Sequence, residues 1–249
     1  MSYFTYQENN IYFTMKGKGP LLIILPGNTA SSAAHENEIN YFANRYRAAS
    51  IDFLGTGKSD RLAHWTADWW EAGSHQIAAL IDHLGYEQAV LLGSSGGAIT
   101  AIATAINYPE KIKAVVADSL ALHFTEAMYT HNVLQGRSNP TEQKRMFWTA
   151  MHGPDWQTVI DNDSKMIKQV VENGGACIKG APEAIACPVL LTFAEHDSFL
   201  PHMGETAAEL KAALLDCEVK IFPNGDHPLM WTNPKDFFES ADSFLQKIK

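Results

Sequence analysis

The sequence predicts an α/β fold, a mostly parallel central sheet with helices on both faces and a helical segment inserted late in the chain. Three observations predict it. Short, uninterrupted apolar runs of strand length recur along the 249 residues, and such runs belong to strands buried on both faces of a parallel sheet. Helical patterns separate these runs, and that alternation marks parallel βαβ units. One long stretch, residues 120–182, carries no convincing strand and is too long for an ordinary connection.

Taken in order, residues 3–6 and 11–15 are rich in aromatic and β-branched residues and read as a hairpin turning through Glu8-Asn9-Asn10. Residues 21–25, Leu-Leu-Ile-Ile-Leu, form a buried strand ended by Pro26-Gly27. A helix follows over 33–43 and a short strand over 48–52. Residues 66–84 are helical, with Ile77, Leu80, Ile81 and Leu84 on one face. The alternation continues with a strand at 89–92, a helix at 98–106 that stops before Pro109, and a strand at 112–117. After the long helical stretch come a strand at 188–193, a helix at 205–215, a strand at 219–222 and a last helix at 234–248 with proline at its start. The chain thus divides into a core, residues 1–119 and 183–249, and a helical cap at 120–182 over the strand ends.

Composition excludes several classes of function. Hydrophobic residues make up 46% and charged residues 19%, which suits a globular domain with a real core. The net charge of −9 repels nucleic acid backbones and anionic membranes, so neither is an expected partner. Cys177, Cys187 and Cys217 are widely spaced with no Cys-x-x-Cys pair, which gives no support for a metal site and reads as buried thiols in a reducing compartment. The first residues lack a basic segment followed by an apolar one, and no apolar run reaches the roughly 20 residues of a membrane span. The expectation is a cytoplasmic protein.

The most informative motif is Gly93-Ser94-Ser95-Gly96-Gly97. It lies between a strand and a helix, where a sharp turn projects its central serine from the sheet edge. Only Ser95 has glycine both two before and two after it, so Ser95 is the candidate nucleophile. A serine hydroxyl needs a base within hydrogen-bond reach, and the base needs an orienting group. His227 lies in the polar loop Asn224-Gly225-Asp226-His227-Pro228 after a late strand, where an α/β sheet places its ligands. For the acid, Asp197 follows the strand at 188–193, with Glu195 beside it and Asp118 after an earlier strand as alternatives. Asp197 could instead cap the turn before Pro201.

These motifs and their order resemble the α/β-hydrolase superfamily over nearly the whole chain. Ser95…Asp197…His227 follows the family order, and Asp52-Phe53-Leu54-Gly55-Thr56-Gly57-Lys58-Ser59-Asp60 resembles its D-x-x-G-x-G-x-S-D loop. Asp226-His227-Pro228 followed by Asn233-Pro234 resembles its histidine loop and last helix. The resemblance implies a helical cap between the sixth strand and the acid-bearing strand, and an oxyanion hole of two backbone N–H groups, those of Gly96 and Asn28. The sequence departs from the pattern in carrying Pro26-Gly27 where many relatives have His-Gly. A serine hydrolase acting on a small to medium ester, thioester or lactone is implied, with a small-molecule acyl substrate and neither metal nor organic cofactor. Carbon–carbon bond hydrolysis or perhydrolysis with the same triad, and a non-enzymatic ligand receptor of the same fold, are the alternatives. Dehalogenases and epoxide hydrolases of the fold carry aspartate as nucleophile, which Ser95 argues against.

Other signals fall away. Gly55-Thr56-Gly57-Lys58-Ser59 fails as a phosphate loop because Asp52 stands where its first glycine belongs. In the cap, Phe124, Phe147 and Trp148 are the candidates for an apolar substrate pocket, whereas Trp65, Trp69 and Trp70 read as structural.

Overall fold

The computed structural model describes residues 2–201 and 203–248; Met1, His202 and Lys249, assigned to the core by the sequence reading, lie outside the described residues. Among the described residues there are eight strands: β1 (Ser2–Tyr6), β2 (Asn9–Lys16), β3 (Leu21–Leu25), β4 (Arg47–Ile51), β5 (Ala89–Ser94), β6 (Ile112–Asp118), β7 (Val189–Ala194) and β8 (Cys217–Phe222). They form one sheet in the order β1-β2-β4-β3-β5-β6-β7-β8. β1–β2 and β2–β4 pair antiparallel, and every other neighbouring pair is parallel. The mostly parallel α/β sheet is the fold class expected from the sequence.

The uninterrupted apolar runs have a simple cause. Successive side chains of a strand point to opposite faces, so Leu21, Ile23 and Leu25 of β3 enter one core cluster while Leu22 and Ile24 enter the other. On the first face lie α2 (Trp69–His83) and α3 (Gly96–Asn107), through Ile77, Leu80, Ile81, Ile99 and Ile102. On the second lie α1 (Glu36–Phe42) and, late in the chain, the helix over Pro234–Leu245, through Ile39, Phe42, Phe237 and Phe244. Each face needs its own helices, and each set is amphipathic toward it.

Between β6 and β7 the chain forms α4 (Glu126–Met128), a π-helical segment (Tyr129–Gln135), α5 (Gly136–Ser138), α6 (Glu142–His152) and α7 (Trp156–Glu172). In α7, Val159, Met166, Ile167 and Val170 recur at helical spacing and join the same core cluster as the sheet. After β7 come α8 (Met203–Ala213), β8, α9 (Leu229–Thr232) and α10 (Pro234–Leu245).

Two local expectations need correction, and one element was not anticipated. The hairpin turns through Gln7 and Glu8, at φ 47° and 67°, while Asn9 and Asn10 pair within the sheet. A two-residue turn with both φ positive matches the twist of the paired strands, so it wins over the asparagines. The helix expected over 33–43 begins as a 3-10 turn, Ser32–His35, before α1. The short helix α9, directly after the histidine loop, had no sequence signal of its own.

One buried histidine ties these parts together. At the end of α6, His152 Nδ1 accepts the Gly57 N–H at 3.0 Å and its Nε2–H donates to the Thr29 carbonyl at 3.0 Å. The Gly57 N–H requires an unprotonated Nδ1 and so the neutral ring, and burial pushes its pKa down from 6.5 to about 4. A histidine with a depressed native pKa contributes stability that is complete above its unfolded value and is lost as pH falls through the native one. The melting temperature of the wild type is therefore expected to fall more steeply between pH 6.5 and about 4 than that of His152→Gln, which takes up no proton. Parallel curves from scanning calorimetry would remove His152 as a source of acid sensitivity.

Candidate active site

The site starts with a strained turn. β5 ends at Ser94 and α3 begins at Gly96, leaving Ser95 alone between them at φ 53°, ψ −122°. A non-glycine residue there costs about 1–3 kcal/mol and persists only where its surroundings enforce it. They do so by close packing: a Cβ at Gly97 would overlap the Leu25 carbonyl, and one at Gly93 would overlap the Gly97 backbone. The Ser95 N–H is held by the Asp118 carbonyl at 2.8 Å, across the end of β6.

The structure brings Ser95, His227 and Asp197 together. His227 Nε2 lies 2.9 Å from Ser95 Oγ, and His227 Nδ1–H donates to Asp197 Oδ2 at 2.9 Å. The other carboxylate oxygen of Asp197 accepts the N–H groups of Phe199 and Leu200 at 2.8 and 2.9 Å. One carboxylate oxygen of Asp197 thus caps the turn while the other accepts the His227 N–H. The Phe199 ring stacks on His227 at 4.7 Å between centroids.

The alternative acids do not touch His227. Glu195 is exposed. Asp118 is fully buried, and accepts the Thr192 hydroxyl at 2.6 Å and the Met230 N–H at 3.0 Å. Burial pushes its carboxyl up to about 7. Beside it, Ser119 Oγ accepts the Leu229 N–H at 3.1 Å. The end of β6 therefore holds both the Ser95 turn and the chain just after His227.

Asn28 and Gly96, the expected oxyanion donors, both line the cavity with Ser95. Among the described residues neither backbone N–H donates to a protein acceptor. Sequence reasoning missed the role of the Asn28 side chain. Its Oδ1 accepts the Trp70 indole N–H at 2.9 Å, and its Nδ2 donates to Asp163 Oδ1 at 2.6 Å. Asp163, on α7, is fully buried and also receives Arg137 Nη1 at 2.7 Å. Burial raises its pKa, while the Arg137 guanidinium and the Asn28 amide pull it back.

The cavity in front of Ser95 measures about 270 Å³. Phe124, Phe147 and Trp148 stand on its wall, and so do Phe199, Trp231 and Trp70, the last of which the sequence reading had made purely structural. The loop that mimics a phosphate site is structural: the Asp52 carboxylate accepts the N–H groups of Ser32 and Lys58 at 2.7 Å each, joining the loops after β3 and β4. Among the described residues, no helix is long and apolar enough to cross a membrane.

The alpha/beta hydrolase fold family matches residues 20–147. A 2-hydroxy-6-oxononadienedioate/2-hydroxy-6-oxononatrienedioate hydrolase of Paraburkholderia phymatum is 31% identical over 96% of this chain and 91% of that enzyme. A 2-(acetamidomethylene)succinate hydrolase of Mesorhizobium japonicum is 32% identical over 51% of this chain, and the match spans 45% of that enzyme's length. The crystal structure of a meta-cleavage product hydrolase from Pseudomonas fluorescens IP01 superposes with a TM-score of 0.81 over 100% of this chain and 98% of that one, at 19% identity, which shows a shared fold. The chain belongs to the α/β-hydrolase fold family. Within it, this protein is a hydrolase, as its named relatives are.

The geometry separates the two buried carboxylates in a way that can be measured. Asp197→Asn is expected to lower turnover of an activated ester by about 10⁴-fold, because the wrong imidazole tautomer faces Ser95. Asp118→Asn keeps an oxygen for the Met230 N–H and is expected to lower turnover far less. Equal losses in steady-state kinetics would move the orienting acid to Asp118.

Proposed function

We propose that the protein is a serine hydrolase acting on a small to medium ester, thioester or lactone, with Ser95 as nucleophile, His227 as general base and Asp197 as orienting acid. The observation that carries this reading is the unbroken chain of two 2.9 Å hydrogen bonds from Asp197 through His227 to Ser95 Oγ, opening on a largely apolar cavity. In this mechanism His227 Nε2 takes the hydroxyl proton as Ser95 Oγ attacks the carbonyl carbon. The oxyanion that forms is met by the N–H groups of Gly96, at the positive end of α3, and Asn28. Asp197 stabilises the imidazolium, which then protonates the leaving group. A water deprotonated by His227 releases the acid and restores Ser95.

A second reading has a specific observation behind it. The full-length similarity to a hydrolase named for 2-hydroxy-6-oxononadienedioate favours cleavage of a carbon–carbon bond beside a ketone with the same three residues. The two differ in the leaving group that His227 must protonate, an oxygen in one and a carbon in the other.

The test is hydrolysis of p-nitrophenyl esters by wild type and Ser95→Ala, with mass spectrometry after a fluorophosphonate probe. Label on Ser95 and a loss of about 10⁶-fold in the alanine variant are expected. Unlabelled protein with equal rates in both forms would end the assignment. A dienol ketone cleaved far faster than any ester would select the second reading.

A further inference from the structure

We propose that the cap side of the cavity is a carboxylate-binding subsite built from Arg137 and Lys144, so that the natural substrate carries an anionic group besides its scissile bond. The proposal rests on the reading that Ser95 is the nucleophile of a hydrolase, and names the substrate class of that site.

Three observations carry it. First, the charges that line the cavity have one sign. Arg137 and Lys144 line it, and none of its lining residues is acidic. This occurs in a chain with 28 acidic and 19 basic side chains, so the cation-only lining runs against the composition of the protein as a whole.

Second, Arg137 has donors left over. Its side chain is only 12% exposed. Nη1 is spent on Asp163 Oδ2 and Ser164 Oγ, at 2.7 and 2.8 Å. Among the described residues, the side-chain hydrogen bonds of Arg137 all leave from Nη1, and Nε and Nη2 find no protein acceptor. A guanidinium offers five N–H groups in a planar fork that matches a carboxylate, and a largely buried one gains from an acceptor that water or a ligand in the cavity must supply.

Third, the group is held in place. Asp163 fixes Nη1 from α7 and is itself fixed by Asn28, beside the candidate oxyanion hole. Arg137 is thus positioned relative to Ser95 through two side-chain bonds. Lys144 Nζ donates to the Gly136 carbonyl at 2.9 Å, which sets a second positive charge next to α5.

A purely structural reading gives Arg137 one task, neutralising Asp163. It accounts for Nη1 and leaves the remaining Arg137 donors without an acceptor. The carboxylate reading accounts for all of them. The cavity would then take a molecule with a carbonyl at Ser95, an apolar middle against Phe124, Phe147 and Trp148, and a carboxylate on the cap.

The test compares matched esters that differ in one charge. The p-nitrophenyl hemiesters of succinate, glutarate and adipate are assayed beside the same esters with the free carboxylate methylated. The wild type is expected to favour at least one free acid over its methyl ester by about tenfold to a hundredfold in kcat/KM, the range that a hydrogen bond to a charged group supplies. Arg137→Gln alone would leave Asp163 buried without its partner, so the informative variant is Arg137→Gln/Asp163→Asn, which removes both charges and keeps the hydrogen-bonding groups. In it the ratio is expected to fall toward one. Lys144→Gln, outside the buried pair, is expected to give a smaller fall, and added salt to reduce the wild-type ratio. A wild-type ratio of one, or a double variant that loses both esters equally, overturns the subsite. Titration calorimetry of monomethyl against dimethyl glutarate on Ser95→Ala protein separates this from the nucleophile assignment. Preference for the monoanion with no turnover in wild type would keep the subsite and sink the hydrolase mechanism, and no preference would sink the subsite.

Discussion

Helix α3 starts one residue after Ser95 and lies so close to the end of β3 that the Leu25 carbonyl leaves no room for a methyl group at Gly97. That contact fixes more than one turn. It aligns the first N–H groups of α3 with the end of the sheet and forces Ser95 into the left-handed region. It also sets the loop after β3, which carries Asn28, against Gly96. Backbone strain of this kind needs neighbours that cannot yield, and here they are central strands buried on both faces. The parallel sheet is therefore the support that holds one serine in an otherwise unfavourable conformation.

From this fixed point the other groups are placed by backbone hydrogen bonds at strand ends, with little left to side-chain freedom. β6 contributes the Asp118 carbonyl to Ser95, and the side chains of Asp118 and Ser119 to the first N–H groups of α9. β7 delivers Asp197, which is immobilised by two backbone N–H groups before it meets His227. Asp226 then accepts the N–H groups of both Ser198 and His227, which locks the acid loop to the histidine loop. Preorganisation here is chiefly a property of the loops, because each side chain at the site is attached to backbone that is itself bonded to a neighbouring strand end.

Much of this was legible in the sequence because its causes are local. A strand buried on both faces must be apolar at successive positions, a serine between β5 and α3 needs small residues around it, and both show as patterns within ten residues. The same holds for Asp197 and His227, each in a polar loop directly after an apolar run. What escaped notice depends on distant pairs. Asn28 and Asp163 are 135 positions apart, and nothing near either predicts that one amide will join the loop after β3 to α7. Trp70 follows Trp69 on α2 and could not be told from it by composition, yet Trp69 packs flat on Trp65 while Trp70 turns to the cavity. The hairpin erred for the opposite reason: Asn9-Asn10 is a good local turn signal, and the pairing of Tyr6 with Asn9 overrode it.

Three of the links between cap and core converge on one place. Asn28 Nδ2 bonds to Asp163, the Thr29 carbonyl accepts His152, and Ser31 Oγ donates to the Met151 carbonyl at 3.0 Å. All three core partners lie in the short loop after β3, and the cap partners come from α6 and α7. The segment that closes over the cavity is thus fastened to the strand end that supplies one of the two proposed oxyanion donors. Two of these links involve a buried ionisable group, Asp163 or His152, whose titration its surroundings shift. Displacing the cap would leave Asp163 without its amide donor and Thr29 without its histidine, and unpaired buried polar groups cost more than the bonds contribute when made. Cap position and the geometry of the loop after β3 are for that reason one mechanical unit: a change that loosens α7 should be felt at Asn28 through Asp163.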